Sequence, residues 1–425
     1  MLTAAGRPAP AEAQVTLRDQ MFNLFEQNIL LSRTPAGVGI VAHTPVFRED
    51  AVVRETADLI NQVSSQIGLQ LSSYPLGSSA GGFTYGFDPE LGTFSRTTET
   101  FGPAFAERAA TAGRGRFSVG MNYLHASYST LDGQALEDGD IKFNLFHQRL
   151  TPASYVEGDV IQAALRMRLT SDTTSFLFNY GLTNRLDIGL AVPLVRVRMD
   201  LSYQATILDF ATATVSPTTH LFANGTKTQT FESQGEASGV GDVVVRTRYN
   251  FARSGITGVA LGLDVRVPSG DEANMLGTGA TQTRIFLIAS GGGRVSPHVN
   301  VGYTASSGST NVPDVVNYTG GVEYGVNRRI TVNADLLGRS SRNALRLRTA
   351  VLPHQYQQGP SAAIQRTTLE AIAVTPGSVN TAIGAIGTKI NLWQNLLLSG
   401  HVLVPLNDAG LRSRTSGVIG FDYTF

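Results

Sequence analysis

From Phe117 to Phe425, apolar and polar side chains alternate with period two. In the last segment Leu411, Ser413, Thr415, Gly417, Ile419, Phe421, Tyr423 and Phe425 share one parity. Arg412, Arg414, Ser416, Val418, Gly420, Asp422 and Thr424 share the other. Alternate side chains of a strand point to opposite faces, so such a segment has one apolar and one polar face. The same split recurs. Val245, Tyr249 and Phe251 oppose Arg246, Arg248 and Asn250, and Leu261, Leu263 and Val265 oppose Asp264 and Arg266. Val316, Tyr318, Val322 and Tyr324 oppose Asn317 and Glu323, and Val332, Ala334 and Leu336 oppose Asn333, Asp335 and Arg339. Short links at Thr183-Asn184-Arg185, 252–255, 291–296, 325–328 and Trp393-Gln394-Asn395 alternate with longer ones at about 132–158, 207–238, 269–281, 307–314, 341–377 and 406–411. Alternating segments of about ten residues, joined by short turns at one end and long loops at the other, define outer-membrane barrels. The pattern predicts an all-β, antiparallel, up-and-down transmembrane barrel of about twelve strands over residues 116–425.

The N-terminal region reads differently. Leu17, Met21, Leu24, Phe25, Asn28 and Leu31 recur at helical spacing, which predicts an amphipathic helix within 15–33. A second helix is expected after Pro45, with Glu49 and Asp50 in its first turn and Val52, Val53, Thr56, Ile60, Val63 and Ile67 along it. Residues 81–99 read as a hairpin around Asp88-Pro89-Glu90-Leu91-Gly92. If that hairpin joined the wall the strand count would be fourteen. Its runs are short for a span of about 9–11 residues, so a plug or lid role for 15–115 is expected instead. In residues 1–14, Ala11-Glu12-Ala13 resembles a signal-peptidase site without the preceding apolar run. That stretch reads as a signal-peptide remnant or a disordered tail.

Composition narrows the class. Lys and Arg total 33, as do Asp and Glu, so formal net charge is zero and a general nucleic-acid partner is not expected. Charged residues are only 16% of the 425, and lysine occurs only as Lys142, Lys227 and Lys389, too few for the wet face of a soluble sandwich. No cysteine is present, so disulfides and thiol chemistry drop out. The seven histidines are scattered, which predicts no metal and no cofactor. Acidic loop residues such as Asp132, Glu137, Asp140 and Asp159 suggest a solvated loop, or divalent ions bridging lipopolysaccharide.

Several segments resemble a Gram-negative outer-membrane transporter family named for a protein of the phenol-degradation meta pathway. They are Tyr180-Gly181-Leu182-Thr183-Asn184-Arg185-Leu186-Asp187-Ile188-Gly189 with Val192-Pro193, then Gly239-Val240-Gly241-Asp242, then Val267-Pro268-Ser269-Gly270-Asp271-Glu272. The likeness covers about 117–425. A looser similarity is to the long-chain fatty-acid and toluene transporters, in which an N-terminal segment plugs the barrel and a strand kink opens a side exit. The resemblance implies passive uptake of a small hydrophobic or aromatic solute.

The polar faces give the candidate lumen residues: Arg166, Arg168, Arg196, Arg198, Asp200, Asp242, Arg246, Arg248, Asp264, Arg266, Glu323, Asp335 and Arg339. Residues 1–115 carry eight basic and eleven acidic groups, which suggests an acidic plug in a basic lumen. These charges either select solutes or brace the wall. Parity also reverses along two adjacent strands. Ile161, Leu165, Met167 and Leu169 are odd, and Phe176, Phe178 and Tyr180 are even. Leu190, Val192 and Leu194 are even, and Val197, Met199 and Leu201 are odd. A one-residue bulge at Asp172, Thr173, Thr174 and Pro193 would produce this, and that level is the expected lateral exit.

The expected protein is thus a monomeric, non-enzymatic outer-membrane channel of a Gram-negative bacterium. Its partners would be membrane lipid and lipopolysaccharide, the solute, and the assembly machinery reading Phe421, Tyr423 and Phe425. Two alternatives stand beside it. One is a structural or adhesive barrel without transport. The other is a lipid-hydrolysing barrel using His125 with Ser127 or Ser129, which would need a third group to orient the histidine.

Overall fold

The computed structural model describes residues 15–26, 31–33, 51–73, 75–78, 82–88, 93–96, 98–147, 158–210, 220–254, 257–309, 312–359 and 361–425. The 1–14 tail lies outside them.

Twelve antiparallel strands close into a barrel. In chain order they are β1 Phe117–Leu131, β2 Val160–Gly181, β3 Leu186–Leu208, β4 Val243–Ser254, β5 Thr257–Val267 and β6 Thr281–Ser290. They continue as β7 Val295–Ser307, β8 Val315–Asn327, β9 Ile330–Tyr356, β10 Gln365–Trp393, β11 Leu396–Pro405 and β12 Ser416–Thr424. Each pairs with the next, and β12 pairs with β1 from Gly417↔His125 to Thr424↔Ser118, which leaves no edge. The 81–99 hairpin does not join the wall. Its strands Tyr85–Asp88 and Thr93–Arg96 pair only with each other, so the count is twelve. The 341–377 link is no loop, because β9 and β10 continue pairing to Tyr356↔Gln365.

Near the short turns the outward side chains form an apolar belt, with Ile285 56% and Leu287 50% exposed. Phe117, Tyr180, Tyr249, Phe251, Tyr324, Tyr423 and Phe425 are exposed near the short-turn end, and Tyr123, Tyr303 and Tyr318 higher up. Aromatic girdles of this kind flank the hydrocarbon layer, about 25 Å apart. A closed barrel with such a belt is an outer-membrane protein of a Gram-negative bacterium.

β2, β3, β9 and β10 are 22, 23, 27 and 29 residues long, at least twice a span of about 9–11 residues, and so project beyond the membrane. Above the belt the two faces exchange character. On β2, Ile161, Ala163, Leu165, Met167 and Leu169 are buried, while Arg166 and Arg168 are exposed. Lower on the same strand Ser175 and Asn179 are buried, whereas Tyr180 is exposed. The inward parity never changes. Lipid outside and polar filling inside give way to water outside and an apolar core inside.

That upper core receives two helices, α1 Leu17–Glu26 and α2 Ala51–Ser72. Leu17, Met21 and Leu24 of α1 and Ile60, Val63, Ile67 and Leu71 of α2 pack with Tyr128, Phe143, Met199 and Tyr203 of the surrounding strands. The predicted helices are present, and each starts within a few residues of its expected first turn. The strand Thr228–Val240 pairs along β3 above the level where β4 stops.

Candidate functional site

Residues 98–112 cross the barrel interior without regular structure. An irregular backbone cannot satisfy its amides in a ladder, and unpaired buried N–H groups are costly. Inward polar side chains of the wall meet this demand. The Ala104 amide donates to Asp335 at 3.1 Å, Gly102 to Glu323 at 2.9 Å and Phe101 to Thr331 at 3.2 Å. The Glu107 amide donates to Asn300 at 2.6 Å, Ala109 to Ser290 at 2.9 Å and Ala112 to Asp187 at 3.0 Å. Lys389 Nζ donates to the Pro103 carbonyl at 2.8 Å. The partners come from β3, β6, β7, β8, β9 and β10, so half of the twelve strands hold the segment. Gly102 and Gly113 both sit at positive φ (84° and 99°), where other residues are strained.

Glu107 anchors the segment. Its carboxylate, buried with Arg248, accepts from Arg246 and from Arg248, the latter at 2.9 Å. Arg248 also bonds Asp187, and Arg246 bonds Asp264 through Nε at 2.7 Å and Nη2 at 3.0 Å. Arg284 joins Asp264 at 2.8 Å. His298 stands between Asp335 at 2.6 Å and Glu323 at 3.6 Å. The sequence reading missed Glu107, Asp187 and His298. Glu107 lies in an Ala/Gly-rich stretch whose only hint was the adjacent pair Glu107-Arg108.

Between this segment and the C-terminal end of α2 is a cavity of about 210 Å³. Arg246, Asp264, Arg266, Arg284 and Arg339 line it, with Gln282, Asn317 and Thr381. A smaller cavity of about 70 Å³ adjoins it on the α2 side.

The candidate lumen residues divide into three groups. Arg246, Arg248, Asp264, Arg266, Glu323, Asp335 and Arg339 face the interior. Asp242 is buried at a loop base, accepting from the Gly270 and Thr278 amides. Arg166, Arg168, Arg196, Arg198 and Asp200 do not face the lumen. They stand on the outward face of β2 and β3 above the belt, where Arg196 and Arg198 share Glu236 at 2.6 and 2.9 Å. Period two gave their shared face correctly, but that face turns toward water once the strand leaves the membrane.

The expected bulge at Asp172, Thr173, Thr174 and Pro193 is also corrected. β2 and β3 pair without a register shift through Asp172↔Arg196, Thr173↔Val195, Thr174↔Leu194 and Ser175↔Pro193. The parity reversal records the change of surroundings, not a slip. A one-residue slip does exist at that height, on the other side of β3. Thr228–Val240 ends opposite Leu194, β4 begins opposite Ala191, and the Gly241 amide donates to the Pro193 carbonyl at 2.8 Å. Pro193 therefore lacks its N–H where no ladder partner stands. The 271–276 loop lies over this slip, with Leu276 against Gly239 and Gly241, and α1 is tied to the loop by the Arg18 amide bonded to the Ala273 carbonyl at 3.1 Å.

On the outer face, Asp172 accepts from Tyr123 at 2.6 Å and holds His125 Nδ1 at 2.8 Å. It thus supplies the orienting group that the hydrolase alternative lacked in the sequence. Among the described residues no hydrogen bond joins His125 to Ser127 or Ser129, and Ser129 instead donates to the Arg412 carbonyl. The acidic loop residues are used structurally. Asp132 accepts from Gln66, Leu347 and Gly410, and Asp159 from Phe210. Among the described residues no cluster of His, Asp or Glu has metal-binding geometry.

No curated protein matches the sequence. Among solved structures, an outer-membrane channel from Pseudomonas putida F1 is 12% identical with a TM-score of 0.43, covering 75% of this chain and 98% of its own. The Ralstonia pickettii toluene transporter TbuX is 14% identical with a TM-score of 0.28, covering 74% and 90%. A Pseudomonas aeruginosa FadL homologue is 9% identical with a TM-score of 0.31, covering 73% and 90%. Residues 153–343 match the model of the family described as "Putative MetA-pathway of phenol degradation", and this is the family that the segments around Tyr180–Gly189, Asp242 and Val267–Glu272 resemble.

Proposed function

We propose that the protein is an outer-membrane channel for passive uptake of small hydrophobic or aromatic compounds, and that residues 15–115 gate it as a plug. The observation that carries this reading is the bonding of 98–112 to inward side chains of the ring. A merely structural barrel could fill its interior with wall side chains alone. Here a separate, irregular segment occupies the lumen, held by polar bonds that can be exchanged for water. The solute class follows the family match over 153–343. The protein acts as a monomer without enzymatic activity or cofactor. Phe421, Tyr423 and Phe425 face outward at the short-turn end of β12, which suits recognition by the assembly machinery. Contact with lipopolysaccharide suits the exposed arginines of β2 and β3.

A tether tests the gate. The chain has no cysteine, so a pair can be introduced cleanly. The Ala109 amide bonds Ser290 Oγ at 2.9 Å. In proteoliposomes, oxidised Ala109→Cys/Ser290→Cys protein should lose uptake of benzyl alcohol, and reduction should restore it. Equal uptake in both states would remove the gating role, and no uptake by the untethered protein would remove transport.

A further inference from the structure

The large cavity is built unevenly in charge. Arg246, Arg266, Arg284 and Arg339 line it against the single carboxylate of Asp264. That carboxylate is already shared by Arg246 and Arg284. Arg246 has Glu107 as well. Arg266 and Arg339 have no carboxylate within 4.0 Å among the described residues. What they hold are backbone carbonyls at the C-terminal end of α2. Arg266 donates to the Ser72 carbonyl and Arg339 to the Ser73 carbonyl at 3.1 Å. A helix C-terminus offers only partial negative charge, about half an elementary charge. Neither of these two guanidinium groups beside the cavity has a carboxylate in direct contact among the described residues, although Asp242 and Asp264 act on Arg266 from further away.

The adjoining cavity is the more apolar of the two. It shares Gln70, Ser73, Gln282, Arg339 and Thr381 with the larger one. Beyond them apolar side chains, among them Leu69, Val315 and Val379, line it beside Ser65, Gln66 and Ser341. A solute spanning both would meet cations at one end and an apolar wall at the other. A cavity of about 150 Å³ suffices for benzene, so the larger space alone accommodates an aromatic ring with one substituent.

We propose that this pair of cavities binds an organic monocarboxylate with an apolar body, such as an aromatic acid. Its carboxylate sits between Arg266 and Arg339 and takes the place of the α2 carbonyls. The planar guanidinium fork suits a carboxylate, which accepts two parallel N–H bonds. The ring lies toward Leu69, Val315 and Val379. The proposal rests on the channel reading for its purpose and narrows the solute class to acids. Binding itself can be read without transport.

The test uses the full-length protein folded in detergent, with sodium benzoate as probe and benzamide as its neutral isostere. Calorimetric titration should give a Kd for benzoate at least tenfold lower than for benzamide. Arg266→Gln and Arg339→Gln should each weaken benzoate tenfold or more and leave benzamide unchanged. Arg168→Gln, on the outer surface, should change neither. Equal affinities, no binding of benzoate, or benzoate binding indifferent to both interior variants would overturn the proposal. If a variant fails to fold, as judged by loss of heat-modifiable gel mobility, the comparison of benzoate with benzamide on the unaltered protein still decides. Benzyl alcohol uptake measured in parallel separates the two readings. Its absence counts against the channel while leaving the binding result intact, and its presence with no benzoate preference counts against the acid site alone.

Discussion

At the scale of single residues, Glu107 carries the most weight. Its carboxylate bridges Arg246 and Arg248, and its amide and carbonyl are both bonded to Asn300. Removing one member of a buried ion network leaves charges uncompensated, which typically costs 3–5 kcal/mol. Glu107→Ala leaves Arg246 with Asp264 and Arg248 with Asp187, so a loss near the lower end, about 3 kcal/mol, is expected. The loss should fall on the interior segment more than on the wall. Hydrogen exchange should show amides 101–112 deprotected in Glu107→Ala, with β5, β6 and β7 unchanged. Gly181 shows how closely the segment is fitted. A Cβ there would lie 1.9 Å from the Gly113 carbonyl oxygen, so the wall position opposite the end of the segment admits no side chain.

At the scale of elements, most of the wall was legible. Period two marked the spans because lipid and interior impose opposite demands on alternate residues of β4 to β8. The helices were legible from Leu17, Met21 and Leu24 and from Ile60, Val63 and Ile67, which meet the apolar core in the structure. The arginines of β2 and β3 misled because a sequence records that Arg166 and Arg168 share a face, but not where the membrane ends. Glu107 was missed because its partners are brought to it only by threading a loop through a closed ring, whereas Asp187 faces Arg248 directly across β3 and β4. The Thr228–Val240 strand illustrates the same limit. It looked like part of a long loop, and it is fixed to β3 by thirteen register pairs and by Glu236. Hydrogen bonds from Arg196, then Arg198, hold the Glu236 carboxyl below the ordinary glutamate range. A carboxyl lowered in the folded state contributes stability above its unfolded pKa, and that contribution is lost as pH falls through the folded value. Protection factors of amides 230–240 should therefore fall between pH 7 and pH 3. Glu236→Gln should show less protection at pH 7 and a smaller change on acidification. A drop of equal size in both proteins would assign the acid sensitivity to other groups.

At the scale of the whole molecule, zero net charge and a mean hydropathy of −0.00 are averages over two inverted halves. Within the membrane the barrel is apolar outside and polar inside, and above it the reverse holds on the same strands. One consequence separates this arrangement from a barrel that is merely amphipathic throughout. Outward positions should differ in tolerance by height, whatever their strand. Ile285 is 56% exposed, within the belt, and a charged residue there must sit in hydrocarbon. Arginine at the bilayer midplane of a barrel costs about 2–4 kcal/mol, falling toward zero near the interfaces. Ile285→Arg should therefore lower the folding free energy into lipid vesicles by about 2–4 kcal/mol in a urea titration. Arg168 is also outward but stands in water, so Arg168→Leu should change the same titration by less than about 0.5 kcal/mol. Equal costs at the two sites would mean that lipid covers β2 up to Arg168, and that the apolar cap around α1 and α2 lies within the membrane rather than above it.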